Sequence, residues 1–112
     1  MKEKVIHFKD VEALPVEIGE KTTIRVLISK DDGAPTYSMR VFEVEPSGYI
    51  KEHSHPWEHE IFVLEGKGKI RIEDREYIVE PGYAIFIPPN FKHEYLNIGD
   101  KVWRFICTIP HV

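Results

Sequence analysis

Residues 53–66 read HSHPWEHEIFVLEG, and this stretch places three histidines within seven residues. In an extended strand, residues i and i+2 point to the same side, so His53 and His55 project together, about 6–7 Å apart along the strand. Their imidazoles can converge on one metal ion through bonds of roughly 2.1 Å. A short loop would then let the next strand bring His59 beside them. The spacing predicts a metal site, although clustered histidines can also be solvated surface residues.

A fourth histidine, His93, begins a later candidate strand after a Pro-Pro-Asn turn. A ligand from a remote part of the chain is what closes a metal site inside a barrel. Glu60 is an alternative ligand in place of His59, but it points to the other face if its strand is regular. The remaining two of the six histidines, His7 and His111, lie near the termini and are expected to be solvated.

Around these histidines the hydrophobic periodicity is two-fold, and the segments are rich in Val, Ile, Phe and Tyr, as β-strands are. Turn signals containing Gly, Pro or Asn recur at intervals of about 8–12 residues. No window has a convincing helical period. The pattern predicts an all-β sandwich or barrel, with strands at 22–28, 37–44, 60–64, 69–73, 76–79, 84–87, 93–97 and 102–109.

The composition excludes several classes of protein. A length of 112 residues suits one domain, and a formal net charge of −4 provides no basic excess for nucleic acid or anionic lipid. No apolar run is long enough for a membrane span or a signal peptide, and the single cysteine, Cys107, precludes an intramolecular disulfide. We therefore expect a cytoplasmic protein. The absence of Gln beside many Lys and Glu residues is a bias seen in thermophile proteins.

The first of two motifs resembles that of the cupin superfamily, which runs Gly, five residues, His-x-His, three or four residues, Glu, six residues, Gly. Here the His-x-His pair is His53 and His55, and His59 stands where the family usually has Glu. The closing Gly is Gly66, and the opening Gly is shifted by one residue to Gly48.

The second motif of that superfamily runs Gly, five residues, Pro, x, Gly, two residues, His, three residues, Asn. In this chain the matching positions are Gly82, Pro88, His93 and Asn97. Asn90 replaces the second Gly, and Asn is among the few residues that accept the left-handed conformation such a turn can need. Two matched motifs at a plausible separation identify the chain as similar to cupins.

The resemblance implies one cupin domain over residues 1–112, with a jelly-roll barrel (a double-stranded β-helix) whose core covers about 37–109. The form of residues 53–66 is similar to small, stand-alone cupins with a four-histidine centre, some of which hold manganese. It also implies a homodimer and one divalent transition metal bound by His53, His55, His59 and His93.

The absence of a carboxylate ligand would shape the chemistry of such a centre. With His59 in the Glu position, four neutral imidazoles leave the full charge of +2 on the ion. The ion then favours an anionic or enolisable oxygen ligand and is a stronger Lewis acid. An octahedral ion would keep two positions for a bidentate substrate, or for substrate and dioxygen. Imidazole suits Zn, Cu, Fe and Ni, so manganese follows only from the resemblance.

Four further side chains are candidates for the cavity lining. Phe105 and Cys107 belong to the more apolar face of the last strand, which should point inward. Tyr95 shares the phase of His93, and Trp57 would cover the cavity or pack in a dimer contact. For Cys107 the simpler alternative is packing, because free cysteine is among the most buried residue types.

Three functions fit these residues. The first is a metal-dependent oxidoreductase, most simply a dioxygenase acting on a small organic molecule, since no dedicated general base accompanies the ligands. The second is a non-redox isomerase or lyase in which the ion polarises a carbonyl group. The third is a non-enzymatic cupin that binds a small molecule. Each requires a small-molecule ligand and neither nucleic acid nor a membrane.

Overall fold

The structure, a computed structural model, describes residues 2–111 and consists almost entirely of strands. Two short 3₁₀ helices, Phe8–Asp10 and Lys30–Asp32, are the helical elements of the described residues. The strands are β1 (Leu14–Pro15), β2 (Gly19–Ile28), β3 (Tyr37–His53), β4 (His59–Glu65), β5 (Gly68–Ile72), β6 (Arg75–Val79), β7 (Ala84–Ile87), β8 (His93–Asn97) and β9 (Trp103–Pro110). The prediction of an all-β protein is confirmed.

The strands form a curled antiparallel sheet in the order β6-β5-β8-β3-β9-β4-β7, with β2 on β3 and β1 on β2. Neighbours in space are mostly distant in sequence; β3 and β8, for example, are joined directly. Curling brings the two halves of the sheet face to face around a common interior. This arrangement is consistent with the jelly-roll barrel that the two motifs imply.

Strand β3 carries the chain from one half of the sheet to the other. The sequence predicts that a strand at 37–44 ends in a turn at 45–48, whereas β3 continues to His53. Its first part pairs with β9 and its last part with β8. Between them the backbone bends at Ser47, whose φ of 65° is left-handed. The predicted turn is wrong because Pro46 lies where the strand changes partners, and there its missing N–H breaks no ladder.

Strict alternation of buried and less buried side chains in β5, β8 and β9 builds much of the core. In β9 the buried residues are Trp103, Phe105, Cys107 and Ile109, the face that the sequence predicts to point inward. The Phe105 ring is central: its centroid lies 4.8 Å from that of Trp103 and 5.3 Å from those of Phe42 and Tyr95. Such pairs stabilise a core beyond the area they bury.

Membrane insertion by a helix is not supported by the part of the chain that the structure describes. No helix within residues 2–111 is both long and apolar enough to cross a bilayer.

Candidate metal centre

The end of β3 brings His53 and His55 to one side of the sheet. His53 is the last residue of β3 and lies opposite His93, the first residue of β8. The centroids of these two rings are 4.3 Å apart. His55 follows in the loop, with its ring centroid 4.9 Å from that of His53. The pairing of β3 with β8 therefore joins the two sequence motifs.

The first residue of β4, His59, completes a cluster of four imidazoles. Its ring centroid is 4.9 Å from that of His93 and 5.3 Å from that of His55. His59 and His93 are only 4% and 1% exposed, whereas His53 and His55 are half-buried. The four histidines predicted to act together are thus neighbours, three on different strands and His55 in the loop between β3 and β4. We call them the histidine cluster.

Backbone carbonyls orient two of these rings. The Nδ1 atom of His53 lies 2.7 Å from the Lys51 carbonyl oxygen, and Nδ1 of His93 lies 2.9 Å from that of Phe91. Since a carbonyl oxygen only accepts hydrogen bonds, both Nδ1 atoms carry the proton. With the proton on Nδ1, the lone-pair nitrogen of a neutral imidazole is Nε2. This is the usual arrangement of a metal-ligating histidine.

Burial keeps the inner rings neutral. Burial, with smaller contributions from the neighbouring His93 and Arg40, lowers the pKa of His59 from 6.5 to about 3. Burial also lowers the pKa of His93 from 6.5 to about 4, against the opposing effect of the hydrogen bond to Phe91. The pKa of His55 is lowered too, by burial and then by His53. Neutral imidazole is the form that binds a metal ion.

Two buried nitrogens of the histidine cluster have no hydrogen-bond partner in the structure. They are Nδ1 of His59 and Nε2 of His93. A buried polar atom without a partner costs free energy, so such atoms are rare unless a ligand satisfies them. An ion bound by these lone pairs would satisfy both, and the donor set therefore fits a transition metal. Among residues 2–111, however, no three metal-binding side chains already have the geometry of a coordination sphere. The four-histidine metal centre stays a prediction.

A cavity of about 200 Å³ opens beside the cluster, and His53, His55 and His59 contribute to its lining. Tyr95 and Cys107 lie in the same lining, together with aliphatic side chains from the segment that includes β1 and β2. A groove of about 630 Å³ elsewhere, lined largely by residues of β5, β6 and β7, contains no histidine or cysteine. The smaller cavity is therefore the one with metal-binding chemistry.

The other two residues that the sequence predicts for the cavity lining, Phe105 and Trp57, lie outside it. Phe105 is fully buried and packs in the core, stacked on Phe42 and Tyr95, rather than in the cavity lining. Trp57 stacks on His55, with ring centroids 4.5 Å apart and planes within 6° of parallel. Packing of the indole against one face of His55 restricts the rotation of that ring.

The hydroxyl and thiol groups of the lining, on Tyr95 and Cys107, are neutral at physiological pH. Burial raises the pKa of the Cys107 thiol, and the opposing effect of Arg40 does not reverse this. Burial also raises the pKa of Tyr95 well above its ordinary value of 10. Neither group is a base at pH 7, but both can donate a hydrogen bond.

Arg40 is a residue of the cavity that the sequence analysis missed. It lies on β3 opposite Cys107 of β9 and donates a hydrogen bond from Nη2 to Sγ at 3.1 Å. Its guanidinium carbon is 5.2 Å from the centroid of the Phe42 ring. The only signal in the sequence is its position: Arg40, Phe42 and Val44 are spaced by two residues and therefore share the inward face of β3.

The curled antiparallel sheet and its histidine-lined cavity define a small barrel protein of the jelly-roll class. The Cupin_2 family profile, described as a cupin domain, matches residues 40–109. The chain therefore belongs to the cupin family, which confirms the resemblance drawn from the two motifs.

Three relatives come from Streptomyces. The chain is 39% identical to the polyketide cyclase RemF of Streptomyces resistomycificus, whose crystal structure superposes with a TM-score of 0.91 over 97% of this chain and 80% of that one. It is 24% identical over 107 residues to the polyketide synthase CurC of Streptomyces cyaneus, covering 95% of this chain and 68% of CurC. Similarity to the protein SchB of Streptomyces halstedii is 28% identity over 105 residues, 92% of this chain and 74% of SchB.

Proposed function

We propose that this cupin is a metal-dependent, non-redox enzyme that acts on a small, enolisable carbonyl compound of the polyketide type. The observation that carries the proposal is the buried Nε2 of His93, which has no hydrogen-bond partner and belongs to a cluster of four imidazoles. Similarity to a polyketide cyclase at 39% identity supports the substrate class.

The residues that would hold the ion are His53, His55, His59 and His93. A divalent ion bound there supplies Lewis acidity, which stabilises negative charge on a carbonyl or enolate oxygen. The carbonyls of Lys51 and Phe91 fix the proton on Nδ1 of two ligands, so that the Nε2 lone pairs are available. Trp57 holds the ring of His55 by stacking. No carboxylate is needed in this set, and four neutral ligands leave the charge of the ion undiminished.

The cavity lining supports chemistry on a substrate that is itself acidic. Within the described residues, the lining contains no Asp or Glu that could act as a strong general base. The protons between two carbonyl groups of a polyketide are acidic enough to pass to a water molecule at the mouth of the cavity, without a strong base, once the enolate oxygens are stabilised. Tyr95 and Cys107, both neutral, are able to donate hydrogen bonds to a developing oxyanion.

The size of the cavity restricts what enters. At about 200 Å³ it is smaller than the roughly 300–1,000 Å³ of pockets that enclose drug-sized ligands. A single ring or the reacting end of a longer chain would fit. The aliphatic side chains Val16, Ile18 and Ile24 exclude water from that end.

The proposal is tested with untagged protein purified without chelators, loaded with Mn, Zn, Fe or Ni in turn. The substrate is a synthetic tri-β-ketone thioester, and mass spectrometry follows the loss of one water as a carbon–carbon bond closes a ring. We expect turnover that requires the metal and is equal with and without dioxygen. His55→Ala should abolish it, and His7→Ala, which changes an exposed histidine outside the cluster, should not.

Two outcomes would contradict this function. Oxygen consumption in proportion to turnover would favour the dioxygenase-type oxidoreductase, which uses the same four histidines and stays a prediction. Failure of the protein to bind any of the four metals would remove both enzymatic functions and favour a cupin that only binds a small molecule.

A further inference from the structure

The cavity contains a cationic side chain for which the function proposed above gives no role. Arg40 points from β3 into the lining shared with His53 and His59. Its Nη2 donates to the Cys107 sulfur, but its Nε is buried and has no hydrogen-bond partner. A guanidinium has five N–H donors arranged as a planar fork, so most of this hydrogen-bonding capacity remains available.

The other half-buried arginines of this sheet are paired differently. Arg25 and Arg104 both bind the carboxylate of Glu43, at 2.6 Å and 2.9 Å, on the opposite face of β3. Within residues 2–111, Arg40 makes no ion pair with a carboxylate. Its polar partner, the Cys107 thiol, is uncharged because burial raises the pKa of that thiol.

Among the described residues, no Asp or Glu lines the cavity beside Arg40. An ion in the histidine cluster would add two positive charges to the same cavity. An unpaired charge in a low-dielectric interior is destabilising unless an opposite charge accompanies it. A bound anionic ligand would supply the opposite charge that Arg40 lacks.

We propose that Arg40 is the anion-recognition residue of the cavity, and that the ligand is a small oxo-acid whose carboxylate or enolate oxygens bind the guanidinium while its carbonyl end faces the histidine cluster. The inference rests on the proposed function for the carbonyl end of the ligand. The negative charge of the ligand is inferred from Arg40 alone. Guanidinium binds a carboxylate in a bidentate manner, which fixes orientation as well as adding energy.

A purely structural role is the competing explanation. Arg40 could serve only to pack against Phe42 and to donate a hydrogen bond to Cys107. That role would affect the stability of the protein but would not discriminate between a charged and an uncharged ligand of the same shape. Discrimination by charge is therefore the decisive measurement.

Isothermal titration calorimetry provides it, with acetoacetate as the anionic probe and methyl acetoacetate as its uncharged counterpart. Both are titrated into the metal-free protein and into the zinc-loaded protein. We expect acetoacetate to bind the wild type more tightly than the ester, by about 10- to 100-fold, the range for a hydrogen-bonded charged group. Equal affinities, or no binding of acetoacetate to either form, would overturn the inference.

Variants of Arg40 test whether this residue causes the preference for acetoacetate over its ester. Arg40→Gln should lose the 10- to 100-fold preference and bind the ester as the wild type does, whereas Arg40→Lys, which retains the charge without the fork, should keep only part of it. Arg71→Gln is the matched control, because Arg71 lies in an exposed ion pair with Glu52. Undiminished preference in Arg40→Gln would show that another group recognises the anion. Thermal melting of each variant reports whether it is folded, and the wild-type comparison stands even if Arg40→Gln is not.

Failure of this inference is distinguishable from failure of the proposed function. Preference for acetoacetate that depends on Arg40 in the metal-free protein supports the inference even if the loaded protein has no cyclase activity. Metal-dependent cyclisation by a protein that binds acetoacetate and its ester equally would support the proposed function and overturn the role of Arg40.

Discussion

At the scale of single residues, hydrogen bonds and burial decide which nitrogen of each imidazole is available. His53 and His93 use Nδ1 for a backbone carbonyl, whereas in His59 the unpartnered nitrogen is Nδ1. The cluster therefore does not present four equivalent ligands. His59 and His93 are buried, and His93 is fixed by its hydrogen bond to Phe91, whereas His53, His55 and His59 line the cavity.

Removal of one ligand should empty the metal site. We expect His55→Ala or His93→Ala to reduce bound metal from about one ion per chain to a small fraction, because the remaining three imidazoles bind more weakly and one lone pair is lost. Plasma mass spectrometry after equilibrium dialysis measures the stoichiometry, and His7→Ala is the control. Full occupancy in both variants would exclude the four-histidine assignment.

At the scale of elements, an ion-pair network ties three neighbouring strands together. Glu43 of β3 lies between Arg25 of β2 and Arg104 of β9, and all three side chains are largely buried. Burial by itself would raise the pKa of Glu43, but the hydrogen bonds from the two arginines outweigh it and hold the pKa below 4.5. Because the unfolded chain takes up the proton at higher pH, this carboxylate stabilises the fold above about pH 4.5, and the contribution is lost as the pH falls through its lowered pKa.

Glu43→Gln should therefore destabilise the protein at pH 7, by about 1–3 kcal/mol, since Arg25 loses its anionic partner and Arg104 keeps only its pair with the exposed Glu65. The difference from wild type should shrink as the pH falls below 4.5. Urea unfolding at pH 7, 5 and 3.5 measures it, with Glu52→Gln as a control in an exposed pair with Arg71. A difference that is the same at all three pH values would contradict the role of the charge.

Close packing of β5 against β9 predicts that Gly68 cannot be enlarged without a loss of stability. The side of Gly68 where a Cβ would lie is filled by the indole of Trp103, whose nearest atom would be 2.2 Å from it. Trp103 is fully buried, so its ring has little space to retreat. Gly68→Ala should cost about 1–3 kcal/mol by overpacking. Gly99→Ala, whose Cβ would meet its nearest neighbours at 3.5 Å, should be close to neutral in the same urea titration.

At the scale of the whole molecule, several large apolar residues are exposed in one region of the chain, residues 62–86. They lie on β4, β6 and β7 and near them: Phe62, Tyr77, Ile78, Tyr83 and Phe86. Strands β6 and β7 also end the order of the sheet, so each has an unpaired edge. Exposed apolar patches of this kind mark interaction surfaces. A second copy of the chain is the occupant we expect, in line with the homodimer implied by the cupin resemblance.

The mass in solution tests the homodimer. Light scattering coupled to size exclusion should give twice the mass of one chain, and Phe86→Lys should shift the protein towards the monomer. Tyr37→Lys changes an exposed aromatic residue on a different strand and should leave the mass unchanged. A monomeric wild type would contradict the expectation. Manganese, the cytoplasmic location and a thermophilic source likewise stay predictions.

The amino-acid sequence alone determined the all-β class, the inward face of β9 and the four histidines, because two-residue alternation and the spacing of the two motifs are local properties. The place of Arg40 depended on the tertiary structure. Arg40 and Cys107 are 67 residues apart, and only the register between β3 and β9 brings them together. Whether β3 ended at Pro46 or continued to His53 was likewise decided by long-range pairing with β8, which no local turn signal encodes.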